Sequence, residues 1–152
     1  MNIINGNILD VTEGIIVHQV NCKGVMGAGL AKQIRNKYPV VYTKYREFIN
    51  GADPTSLLGK HQITRVTNTL IVLNIFGQLN YGTSTMQTDY VAFENALSTF
   101  SNLYKLSEKV NTKHSPIYFP YGIGCGLAGG DWNIISKLID KYFPEAIIVK
   151  HN

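Results

Sequence analysis

The sequence predicts an α/β fold: a three-layer α/β/α sandwich around a central mixed, mostly parallel sheet. Three observations predict it. Apolar runs of strand length alternate with segments of helical period along the chain. The run TLIVLNIF is apolar on both faces, which suits a strand whose sheet is covered by helices on both sides. Two glycine-rich stretches, HQVNCKGVMGAGLAKQI and FPYGIGCGLAGGDW, each stand between a strand and a helix, where open α/β sheets bind ligands.

The elements follow in order. Ile3 and Ile4, then Gly14 to Val20, Lys60 to Val66, Thr69 to Phe76, Pro116 to Tyr121 and Ala146 to Lys150 read as strands. Leu30, Ile34 and Tyr38 share one face of a helix that Pro39 ends, and Val41, Tyr45 and Phe48 continue the period at once. Tyr90, Phe93, Leu97, Phe100 and Tyr104 mark a longer helix. Trp132, Ile135, Leu138, Ile139 and Tyr142 mark the last one, with Asp131 where an N-cap belongs. The stretches 51–57 and 107–115 read as surface insertions. With no internal repeat, residues 1–152 are expected to form a single domain.

Composition narrows the function. A chain of 152 residues, 45% hydrophobic and 16% charged, buries one real core. Its net charge of +4 is spread among polar and aromatic residues, as at Lys23, Lys32, Arg35, Lys37, Lys44 and Arg46. That favours an anionic ligand over a nucleic-acid footprint, and no direct nucleic-acid binding is expected. No apolar run approaches the roughly 18 residues of a membrane span. No leader-like segment follows Met1, so a cytoplasmic protein with reduced Cys22 and Cys125 is expected. The wealth of Asn, Ile and Tyr suits an AT-rich bacterial or viral genome. A monomer is the default expectation. His61, His114 and His151 have no partners at metal-ligand spacing, so neither a metal nor another cofactor is expected.

Glycine in such loops permits positive φ and lets backbone N–H groups approach an anion, with a helix N-terminus behind them. Two such loops suit a diphosphate and at least one sugar. Neither is a Walker A loop, since no GK[ST] follows, and neither has the spacing of a dinucleotide fingerprint.

Taken together in this order, NGNIL, GIIVHQVNC with GVMGAGLA, NIFGQLNYG and YGIGCGLAGGDW resemble the macro domains over nearly the whole chain. Within that family the sequence is most similar to the small proteins that process ADP-ribose 1''-phosphate. The resemblance implies ADP-ribose or its 1''-phosphate as ligand. It implies that Asn7, in place of the family's usual acid, and Ile8 meet the adenine. It implies that the loop with Gly24, Val25, Met26, Gly27, Ala28 and Gly29 embraces the distal ribose beside Asn21. The diphosphate would then lie on Gly122, Ile123, Gly124, Cys125, Gly126 and Leu127. Tyr121 or Phe76 would border the adenosine or the ribose.

Two departures bear on catalysis. The first loop lacks the acid of the well-known hydrolytic type, and Gln78 is the nearest polar residue where a lysine-dependent branch has its lysine. Near the distal ribose the resemblance leaves His18, Asn21, Asp131 and Gln78. His18 either moves a proton or is a buried histidine that holds the loop. Asp131 either orients water or caps the last helix. The cysteines read as packing residues, since no arginine stands six positions beyond either. The expected activity is hydrolysis of ADP-ribose 1''-phosphate to ADP-ribose. The alternatives are a non-catalytic module for ADP-ribose or a related nucleotide, and an ADP-ribosyl hydrolase acting on a macromolecule.

Overall fold

The structure, a computed structural model, describes residues 1–110 and 115–151. His114 and the centre of the 107–115 stretch lie outside the described residues. The strands are β1 (Asn2–Asn5), β2 (Gly14–Asn21), β3 (His61–Arg65), β4 (Leu70–Gln78), β5 (Ile117–Pro120) and β6 (Ile147–Lys150). The helices are α1 (Gly29–Lys37), α2 (Pro39–Ile49), α3 (Pro54–Leu57), α4 (Tyr90–Val110) and α5 (Trp132–Tyr142).

The strands form one sheet in the order β1-β6-β5-β2-β4-β3. Every neighbouring pair is parallel except β3 with β4. Side-chain alternation on β2 and β4 divides the core. Ile15 and Val17 of β2 and Leu73 and Ile75 of β4 pack with Phe93 and Leu97 of α4 and Ile135 and Ile139 of α5. Val20, Val72 and Phe76 face the other way and pack with Ile34, Val41 and Tyr45 of α1 and α2. The sheet is therefore covered on both faces, and the three-layer sandwich is the observed fold.

Local signals place the element ends. Pro39 opens α2 directly after Tyr38 closes α1, so one helical period is split into two helices. The 51–57 stretch contains more than an insertion: Asp53 accepts from Thr55 N–H and caps α3, which buries Leu57 in the core. Three loops leave carboxyl ends of adjacent central strands: those after β2, β4 and β5. Among the described residues no helix is long and apolar enough to cross a membrane.

Candidate functional site

A cavity of about 700 Å³ opens where those three strands end. The end of β2 contributes His18, Gln19 and Asn21, β4 contributes Gln78, and β5 contributes Pro120. Val25, Gly27 and Ala28 of the first loop and the start of α1 form one wall, and Tyr121 to Gly124 with Gly126 to Ala128 form the opposite one. The two walls meet: Leu127 Cδ1 lies 3.8 Å from where a Cβ on Gly29 would stand. No Asp, Glu, Lys or Arg among the described residues lines the cavity.

The first loop is held from below. Asn21 Oδ1 accepts from the N–H groups of Lys23 (3.0 Å) and Val25 (3.3 Å), and its Nδ2 donates to the Val25 carbonyl at 2.7 Å. Tyr45 of α2, fully buried, brings its hydroxyl to 2.6 Å from the Asn21 carbonyl and accepts from Gly24 N–H at 3.1 Å. Burial drives the Tyr45 phenol pKa up, so it stays protonated. Gly24, at φ +84°, faces Arg46 and Ile49 of α2 rather than the cavity. Met26 is buried in the core with Val20, Cys22 and Ile34. The position that caps α1 is Ala28, which has no side-chain hydrogen bond to give, and Gly29, Leu30 and Ala31 line the cavity. The first-turn N–H groups of α1 thus meet the cavity without a protein cap.

The second loop closes on itself through four backbone hydrogen bonds, donated by Ile123, Cys125, Gly129 and Gly130. No protein acceptor among the described residues takes the N–H of Gly124, Gly126 or Leu127. Beneath the loop, Thr88 Oγ1 donates to the Gly124 carbonyl at 2.6 Å and accepts from Gln19 Nε2 at 3.0 Å. Gln19 Nε2 also reaches Gln78 Oε1 at 2.7 Å. These side chains tie the ends of β2 and β4 to the second loop.

The remaining predicted residues divide. His18 lines the cavity but is only 2% exposed, and its Nε2 lies 2.5 Å from Asn74 Oδ1. Asn74 Nδ2 donates to Gln62 Oε1 (3.0 Å), which turns Asn74 Oδ1 toward His18 and assigns the proton to Nε2. Burial lowers its pKa to about 4, so the ring is neutral near pH 7. Asp131 does not line the cavity: its carboxylate accepts from Asn133 N–H at 2.8 Å and caps α5. Cys125 and Phe76 also lie outside the lining, and Phe76 is fully buried. Burial pushes the thiols of Cys22 and Cys125 up to about 11, away from nucleophilic thiolate character. Among the described residues no three His, Cys, Asp or Glu side chains cluster around a metal-sized space.

Asn7 and Ile8 line a second pocket of about 410 Å³. It shares Leu30, Pro120 and Tyr121 with the main cavity, so the two adjoin. Sequence reasoning missed Gln19, Thr88, Tyr81 and Tyr45. Gln19 had a signal, a polar residue inside the apolar strand GIIVHQVN; Thr88 and Tyr81 sit in a polar loop without periodicity.

This arrangement of sheet, helices and paired glycine loops is the macro domain fold. The macrodomain of Mycobacterium tuberculosis DarG superposes with a TM-score of 0.77 at 20% identity, covering 99% of this chain and 95% of that one. An ADP-ribose 1''-phosphate phosphatase of Candida glabrata is 28% identical over 163 residues, 91% of this chain and 90% of its own length. An uncharacterized 17.5 kDa protein of Enterobacteria phage T4 is 28% identical over 137 residues, covering 88% of this chain and 83% of the phage protein. No protein-family model matches the chain.

Proposed function

We propose that the cleft binds ADP-ribose and hydrolyses a derivative carrying a leaving group at the 1'' position, with ADP-ribose 1''-phosphate as substrate. The observation that carries this reading is the pairing of an uncapped helix N-terminus with an opposed glycine nest across one cavity. Similarity over nearly full length to a protein of that activity supports it.

In this reading the diphosphate lies on the Gly124–Leu127 segment, and the distal ribose lies between Asn21, Gln78 and the start of α1. The base occupies the second pocket. Water attacks phosphorus at the 1'' position, the P–O1'' bond breaks with its electron pair staying on O1'', and a proton from the medium completes that hydroxyl. The protein's part is positioning and stabilisation of charge on the phosphoryl oxygens by preorganised N–H groups. His18, neutral and bonded to Asn74, holds the end of β2 instead of shuttling protons, and Asp131 serves α5.

A second reading, binding of ADP-ribose without turnover, is favoured by the carboxylate-free lining. One experiment separates the two: phosphate release from ADP-ribose 1''-phosphate, with calorimetry of ADP-ribose binding on the same preparation. Turnover with product binding is expected. Tight binding without phosphate release would leave the binding module.

A further inference from the structure

Along the sequence the basic residues are separated by polar and aromatic ones, and the fold removes that separation. Lys32, Arg35 and Lys37 of α1 and Lys44 and Arg46 of α2 are all exposed, on the helical layer that covers one face of the sheet. Lys23 joins them, because the Arg46 guanidinium donates to the neighbouring Gly24 carbonyl at 3.4 Å. No Asp or Glu occurs between positions 23 and 46. Among the described residues the ion pairs of this layer reduce to Lys44 with Glu47, at 3.5 Å. The opposite layer is balanced: α4 and α5 carry four lysines against Glu94, Glu108 and Asp140. The excess positive charge of the helices therefore lies on one side of the sheet.

We infer that the α1–α2 layer is a docking face for single-stranded nucleic acid. Exposed cations without acid partners attract a phosphate backbone and release its counterions. Aromatic rings stand among them, as unstacked bases need: Phe48 is 41% exposed, and Tyr42 carries the Arg35 guanidinium 3.8 Å from its ring centre. Both helices pack on the sheet by their apolar sides, through Ile34, Val41 and Tyr45, so neither projects to enter a duplex groove. The same burial disfavours a membrane surface. Val40 and Phe48 are the exposed large apolar side chains of these helices, too few to insert. The start of α1 lines the cavity, so this face runs to the cavity rim whatever the cleft binds.

The test is fluorescence anisotropy of a labelled oligothymidylate of about 12 nucleotides with the whole chain, at salt from about 50 to about 200 mM. Lys32→Gln with Lys44→Gln removes two charges from this face, and Lys105→Gln with Lys137→Gln removes two from the opposite layer. All four lysines are exposed, so both double variants should melt as the natural protein does. For the natural protein, log affinity against log salt is expected to fall with a slope of about −3 to −4, as about five phosphate contacts give. The first pair should bring that slope about 1 nearer to zero and weaken binding by about tenfold. The second should change affinity by less than about threefold. Equal losses in the two pairs would mean attraction to the charge of the whole chain and would overturn the face. Absence of salt-dependent binding overturns the inference, as does binding to phosphatidylserine vesicles without binding to the oligonucleotide. Neither failure touches ADP-ribose binding, which calorimetry measures separately.

Discussion

Two of the helices that start beside the cleft, α1 and α5, begin in opposite ways. α5 begins with Asp131, whose carboxylate accepts from Asn133 N–H, and its first turn is electrostatically complete. α1 begins with Ala28, which has no side-chain bond to give, and its first turn lines the cavity. A helix end without a cap is a cost unless something else satisfies it. Under the proposed function, the difference favours the terminus that the protein leaves open for a ligand's negative charge over the one it has filled.

The strongest way to break this comparison is to make the two termini alike. Ala28→Asp supplies α1 with a carboxylate cap worth about 1 kcal/mol of stability. The same carboxylate takes the N–H groups that would face the distal ribose and adds a negative charge across the cavity from the diphosphate. We expect ADP-ribose affinity to fall by about 100-fold or more while thermal stability holds or rises. Unchanged affinity in calorimetry would place the ligand elsewhere.

A second pair of variants sharpens the role of the opposite wall. Gly124 sits at φ +74°, and a Cβ there would lie 3.0 Å from Gln19 Oε1 and 3.1 Å from Thr88 Oγ1. Gly124→Ala should lower stability by about 1–2 kcal/mol and affinity by about tenfold. Gly126 has nothing within 4 Å of such a Cβ, so Gly126→Ala should keep the fold and report only on what occupies the open space. If Gly126→Ala leaves both melting temperature and affinity unchanged, that space is not the ligand's.

The fold was legible because its signals are periodic. Six apolar runs and four amphipathic stretches were enough to lay out the sheet and its cover, and the proline at position 39 announced the break between α1 and α2. Through the resemblance the candidate site was legible at His18, Gln78, Asn7 and Ile8, and elsewhere where glycine marked the backbone. Asn21 and the residues around Gly124 were found that way, but glycine has more than one cause. Gly24 makes room for α2, and Gly130 stands where a Cβ would come within 2.6 Å of the Gly124 carbonyl. Tyr45 was readable as a core residue by its period, yet nothing in the period reveals that its hydroxyl holds the first loop. His18 illustrates the same limit: its partner Asn74 lies 56 residues away, and only strand register brings them together.

That register has a pH signature. The folded protein lowers the His18 pKa from 6.5 to about 4 by burial, so between those values the unfolded chain binds more protons than the folded one. Stability from this group is therefore full above about pH 6.5 and is lost as pH falls toward 4. Chemical denaturation of the natural protein and of His18→Gln should show a gentler acid decline in the variant. Equal declines would show that folding does not lower the His18 pKa.

The smallest expected effect on binding belongs to Asp131, and it decides the comparison from the other side. Asp131→Ala removes the cap of α5 and should cost about 1 kcal/mol of stability. Because the carboxylate lies outside the cavity lining, ADP-ribose affinity should change by less than about threefold, and turnover of ADP-ribose 1''-phosphate should keep pace with binding. Asp131→Asn, which keeps a capping oxygen, should restore most of the lost stability. A variant that folds with its cap restored yet loses turnover by orders of magnitude would return Asp131 to the chemistry, since capping alone has no means of separating rate from stability.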